Sequence, residues 1–154
     1  MRFDAAFTAE LTKLMSKAGC IAVTGGLECA CDRLLKLMNK GITLKSAEKV
    51  LRAFKSSKIG VHAYLMYDFP TETKAEYGEA KKYVRSLVSK GLINSYYWHR
   101  FALTVHSPVY ANPEQFKIEV EPIPKGRLFA LNEVGYRKVS SRKATDNDYN
   151  RHRR

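Results

Sequence analysis

Three groups of side chains in this 154-residue chain have the types and spacing to do chemistry. In the first, Gly25-Gly26-Leu27-Glu28, a carboxylate follows two glycines that allow a sharp turn and close approach of a ligand to the backbone. Such a carboxylate accepts hydrogen bonds from a ligand's hydroxyl or ammonium group; the plainer reading of Glu28 is a solvated loop or cap residue. The second group is Tyr67-Asp68-Phe69-Pro70-Thr71-Glu72, where Asp68 either meets a ligand or turns the chain before Pro70. The third holds His99, Arg100 and, further on, His106. The two histidines are read as catalysts or as satisfied structural residues, and Arg100, set among aromatics, suits a ring, a carboxylate or a phosphate.

Metal chemistry finds little support. Cys20, Cys29 and Cys31 have the spacing C-x8-C-x-C, which matches no common zinc or iron–sulfur pattern. Three is also an odd count, so a fully paired disulfide framework is excluded. Cys20 reads as a small core residue, and Cys29 and Cys31 as exposed thiols near a ligand-binding end. The chain carries no Walker loop, no G-x-G-x-x-G and no nucleophile elbow.

An alternation of helices and short strands must position these groups. Thr8 caps a helix with Phe7, Leu11, Leu14, Met15 and Ala18 at helical spacing, ended by Gly19. Cys20 to Val23 reads as a strand buried on both faces, as in parallel sheets. Asp32 is the expected cap of a second helix, with Leu34, Leu35, Leu37 and Met38 inward, and Thr43 opens a third with Leu44, Ala47, Val50, Leu51 and Phe54 inward. Ile59 to Tyr67 is the longest strand candidate, ended by Pro70. Thr73 to Glu76 is a capping box, whose helix buries Tyr77, Ala80, Val84 and Leu87. A third strand falls within Ile93 to Val105, and Tyr96, Tyr97 and Trp98 are expected to face a core. Ile118 to Glu121 alternates like an exposed edge strand.

The order αβααβαβ implies right-handed parallel crossovers, hence an α/β layered sheet or part of a barrel. In such folds ligands bind at the carboxyl ends of the strands, where all three groups fall. Three parallel strands leave open edges, so the expected protein is a piece of something larger or completes itself by association.

Composition narrows the rest. The chain is 45% hydrophobic and 27% charged, a globular composition. No apolar run reaches the ~18–20 residues needed to cross a bilayer, and the first residues lack a secretory signal, so a cytoplasmic protein is expected. The net charge is +12, and half of it lies in residues 125–154, with nine basic and three acidic side chains. Residues 122–154 therefore read as a basic, extended or poorly ordered tail following a domain over 1–121. A non-enzymatic module holding nucleic acid through that tail, with Tyr96, Tyr97 and Trp98 stacking on bases, is the alternative to an enzyme.

The sequence resembles the C-terminal half of radical S-adenosylmethionine enzymes, particularly the group that carries a cobalamin-binding domain upstream. The resemblance rests on Gly26-Leu27-Glu28, the run Arg33 to Thr43, the run His62 to Thr73, Tyr97 to Thr104, and His106-Ser107-Pro108. It spans roughly residues 2–118. It implies the later half of a partial (β/α) TIM-type barrel, with parallel strands and flanking helices. In that family a four-iron four-sulfur cluster reduces S-adenosylmethionine to methionine and a 5′-deoxyadenosyl radical. By position, Gly25, Gly26 and Glu28 would contact S-adenosylmethionine, with Tyr67, Asp68, Phe69 and Pro70 as a second wall, and His99, Arg100 and His106 on the substrate side. No residue of this chain is assigned to the metal, because the C-x3-C-x2-C motif is absent. The chain is then not expected to be active alone. Its expected partners are an N-terminal half bearing the cluster or another copy of itself, with cobalamin a family possibility. Asp68 departs from the family's usual glycine, and Cys29 from a small hydroxyl residue.

Overall fold

A computed structural model describes residues 1–122 and 132–139. The chain forms two compact units, Met1–Phe101 and Ala102–Arg154. No helix among the described residues is long and apolar enough to cross a membrane.

The first unit is α/β. Its elements are α1 (Ala9–Lys17), β1 (Ala22–Glu28), α2 (Asp32–Leu37), α3 (Leu44–Ser56), β2 (Gly60–Tyr67), α4 (Lys74–Ser89) and β3 (Ser95–Arg100). The strands form one parallel sheet in the order β1-β2-β3, with Gly25 opposite Ala63, Gly26 opposite Tyr64, and Tyr64 opposite Tyr97. Because the order never reverses, right-handed crossovers place both connecting helices on one face. Burial agrees: Val61, Ala63 and Leu65 of β2 share a core with Ala47, Val50, Leu51 and Phe54 of α3 and with Ala80, Val84 and Leu87 of α4.

The other face of the sheet is open. Thr24, Tyr64, Ser95 and Tyr97 are exposed there, and His62, Met66 and His99 are half-buried. This corrects two expectations. The first strand is not buried on both faces: it runs Ala22–Glu28 rather than from Cys20, and Ile21 is 84% exposed. Nor does Tyr97 face a core, since it stands on the open face; Tyr96 and Trp98 share the helix side, where Tyr96 is still exposed and Trp98 packs against Tyr77 of α4. Alternation along a strand sends neighbours to opposite faces, and only one face is covered.

Local chemistry sets the helix ends. Thr8, Thr43 and Thr73 cap α1, α3 and α4, with reciprocal capping boxes at Thr43/Ser46 and Thr73/Glu76. Cys31, not Asp32, is the cap position of α2; the Asp32 carboxylate instead accepts the Leu44 N–H at 2.7 Å, at the start of α3. α1 also differs from its sequence pattern. Leu11 and Leu14 are exposed and Thr12 is fully buried. The Thr12 hydroxyl proton is shared between the carbonyls of Ala9 and Ala53, and its oxygen accepts from the Ser57 hydroxyl at 2.9 Å. Satisfied on every side, this polar group takes the contact position against α3 and turns the leucines outward.

The second unit contains α5 (Pro108–Ala111), a 3-10 turn (Pro113–Phe116), β4 (Ile118–Val120) and β5 (Tyr136–Lys138). β4 alternates as expected, with Ile118 buried and Glu119 exposed, and pairs antiparallel with β5 along one edge. β5 lies within the segment expected to be a tail; residues 123–131 and 140–154, with most of its charge, fall outside the described residues.

Candidate functional site

The carboxyl end of β1 is built around two glycines that serve opposite faces of the strand. A Cβ on Gly25 would stand 2.5 Å from the ring of Phe3, which fills the core at that point. A Cβ on Gly26 would stand 2.7 Å from Oε1 of Glu28. Since Gly26 pairs with exposed Tyr64, the Glu28 carboxylate folds back onto the open face of the sheet. The glycines therefore lie within the strand and make no turn. The close approach they permit is taken by Phe3 on one side and by Glu28 on the other.

Glu28 itself has left-handed backbone, with φ 54°, beside an irregularity in the β1–β2 register. Its Oε1 takes the Lys40 ammonium at 2.9 Å. Lys40 belongs to the loop between α2 and α3, and its carbonyl accepts from Arg2 Nη1 at 3.3 Å. The stretch around Arg2 runs alongside Gly26 in a parallel bridge, with the Gly26 N–H donating to the Met1 carbonyl.

The end of β2 repeats the pattern. Asp68 follows the strand with φ 63°, is buried, and meets Arg100 Nε at 2.8 Å across the end of β3. Each strand end thus carries an acid in left-handed backbone, held by a base from a neighbouring segment. Phe69 is buried and stacks edge-on against Phe101 at 5.0 Å, and Pro70 beside it is buried. Tyr67 turns to the helix side, against Tyr77 at 5.9 Å.

A polar latch ties α2 to the loop before α4. Arg33 donates from Nε and Nη2 to the two oxygens of Glu76 (2.5 and 2.8 Å) and from Nη2 to the Thr71 carbonyl. Glu76 also closes the capping box by accepting from Thr73. The Arg33 guanidinium, with help from Thr73, holds the Glu76 carboxyl far below the ordinary range, at about 2.

The cysteines do not form a cluster site. Cys20 precedes β1 and Cys29 follows it, so the 7 residues of the strand, about 20 Å of extended chain, lie between them. Burial, reinforced by the carboxylates of Glu72 and Glu28, pushes the Cys29 thiol strongly up, so it stays protonated and a poor ligand. Cys31 lies 3.6 Å from Oε1 of Glu76. Among the described residues no group of three His, Cys, Asp or Glu side chains is arranged to hold a metal ion.

Sequence reasoning missed the aromatic row on the open face. Tyr64 and Tyr97 meet edge-on at 6.5 Å, and His62 meets Tyr64 at 5.1 Å while its Nδ1 pairs with the Ser95 hydroxyl at 2.7 Å. The signal was present in β2, where His62, Tyr64 and Met66 alternate with Val61, Ala63 and Leu65. His99 lies on this face opposite Met66, whereas Arg100 is drawn to Asp68. His106 belongs to the second unit and is exposed.

No protein-family model matches the chain. Two curated proteins are distantly similar to it. The uncharacterized methyltransferase PH0819 of Pyrococcus horikoshii is 32% identical over 83 residues, covering 53% of this chain and 18% of that protein. The ribosomal protein uS12 methylthiotransferase RimO of Chlorobium phaeobacteroides is 28% identical over 105 residues, covering 67% of this chain and 23% of that protein. The chain thus spans about a fifth of the length of these relatives.

Proposed function

We propose that this chain is radical S-adenosylmethionine-related and contributes the S-adenosylmethionine- and substrate-side wall of a methyl- or methylthio-transferring enzyme. The observation that carries this reading is the similarity to two transferases of methyl-type groups. It is joined by a parallel sheet whose crossover helices share one face and whose strand-end carboxylate, Glu28, lies on the other. A sheet with that hand and one open face supports reading the β1–β2–β3 arc as the later half of a TIM-type barrel.

S-adenosylmethionine, when bound, supplies the group that is transferred or activated. The chain's own contribution is to bind and orient. Glu28 offers a carboxylate to a hydroxyl or ammonium of the ligand. Phe69, packed on Phe101, and Pro70 are buried next to the Asp68–Arg100 pair at the second strand end. The three cysteines of this chain do not fit a four-iron four-sulfur cluster, so in this reading the cluster lies outside these 154 residues, on a missing N-terminal half or on a partner chain. Cobalamin enters only if that partner carries it.

Two measurements test the reading. Calorimetry of the purified chain, alone and with a co-expressed C-x3-C-x2-C-bearing partner, is expected to detect S-adenosylmethionine binding that Glu28→Gln weakens. Absence of binding in both, with no copurification, would overturn it.

A further inference from the structure

We infer that the open-face row Glu28–Tyr64–Tyr97 is a site for an organic cation of the alkylammonium type, and that the Lys40 side chain is its tethered occupant. The inference deepens the proposed function by naming a ligand class for the same face, and it rests on that reading only for the ligand's biological origin.

The row follows from register. Gly26, Tyr64 and Tyr97 stand opposite one another on β1, β2 and β3, and their side-chain positions point to the open face. Gly26 has no side chain, and the space it leaves is taken by the Glu28 carboxylate. Neighbouring strands lie about 4.8 Å apart, so a carboxylate and two phenol rings succeed one another across the face. Tyr64 is 46% and Tyr97 59% exposed. A negative group beside electron-rich rings is complementary to a cation and to little else. The same chemistry occurs elsewhere in this fold, where the Lys81 ammonium lies 4.5 Å from the centre of the Tyr77 ring.

At one end of this row an ammonium is already paired with the carboxylate. Lys40 Nζ lies 2.9 Å from Oε1 of Glu28, reaching it from a loop position between two left-handed residues, Asn39 and Gly41. The Lys40 side chain is 31% exposed, so once displaced it can return to water along its own flexible stem. A partly exposed pair of this kind contributes little stability, which makes exchange for a free ammonium feasible. Lys40 then acts as an internal competitor. With an effective concentration of about 10 mM from its short tether, against a dissociation constant of about 1 mM for an ammonium at this carboxylate, removing it should tighten the ligand by about 10-fold.

The test uses n-butylammonium, the free counterpart of a lysine side chain, against an equal concentration of sodium chloride. In the wild-type chain, n-butylammonium is expected to shift the ring proton resonances of Tyr64 and Tyr97. It is also expected to raise the acetylation rate of Lys40 relative to exposed Lys49. Lys40→Met should bind the probe about 10-fold more tightly, Lys40→Arg should resemble wild type, and Glu28→Gln should lose the response. Equal midpoints in wild type and Lys40→Met, or a response that survives Glu28→Gln, would overturn the inference. If Lys40→Met does not fold, the wild-type acetylation ratio decides alone, and no change on adding the probe overturns it. A probe response without S-adenosylmethionine binding would remove only the transferase reading. S-adenosylmethionine binding with insensitive rings and an unchanged Lys40 rate would remove only this inference.

Discussion

Gly26 and Glu28, two residues apart on one strand, share a single volume: the carboxylate of the second occupies the place where a side chain of the first would project. Its neighbour Gly25 makes the equivalent concession to Phe3 on the core side. Alanine at the two positions therefore has different consequences. Gly25→Ala drives a methyl into a buried ring and is expected to destabilise by about 1–3 kcal/mol in urea unfolding. Gly26→Ala meets only the far end of a flexible side chain. It should cost less than about 1 kcal/mol, the scale of a partly exposed ion pair, while displacing Glu28 from Lys40.

The left-handed backbone of Asp68 separates strain from pairing. Asp68→Ala removes the carboxylate that meets Arg100 and keeps a Cβ at φ 63°. Asp68→Gly removes the same carboxylate and relieves the backbone. Glycine should therefore be the more stable of the two variants by about 1 kcal/mol, read from thermal unfolding. Equal stabilities would show that the left-handed conformation at this position is not strained.

Glu76 predicts an acid-sensitive latch. Its folded-state value of about 2 lies below the ordinary carboxylate value, so between those limits the unfolded chain binds the extra proton. The stabilisation is complete above about pH 4.5, the ordinary glutamate range, and is lost as pH falls toward 2. Arg33→Met removes the main cause of the shift. The variant should lose stability at neutral pH and show a flatter decline of unfolding temperature between pH 5 and 2 than wild type.

Burial rather than hydrophobicity decides the cost of truncation. Phe54 is fully buried and stacks on Phe7 at 5.4 Å, so Phe54→Ala is expected to cost about 3–5 kcal/mol. Leu14 carries the same periodic signature in the sequence but is 63% exposed. Leu14→Ala should change stability by less than about 0.5 kcal/mol. Paired denaturant curves check both.

Much of the first unit was legible because its signals are local. Threonine caps at 8, 43 and 73, aliphatic spacing in α3 and the run into Tyr67 each depend on neighbours within a turn or a strand. The pattern misled where a long-range partner intervened. Thr12 turned α1 by bonding to Ala53 and Ser57, over forty residues away, and Asp32 served α3 instead of its own helix. Of the candidate site, Glu28 and Asp68 were visible as acids at strand ends, but their bases, Lys40 and Arg100, sit twelve and thirty-two residues further on. Tyr64 and Tyr97 were hidden in apolar runs that read as core.

Taken alone, the sequence determined the order of helices and strands, the threonine caps of α1, α3 and α4, and a parallel sheet, since each follows from side-chain periodicity and from donors within hydrogen-bonding range along the chain. Tertiary structure decided which sheet face is covered, that Gly25 and Gly26 yield space to Phe3 and Glu28, and that Lys40 sits on the carboxylate. Those outcomes depend on where crossovers of fixed hand deposit the helices and on which distant group reaches a polar atom first, neither of which is written in any short stretch of residues.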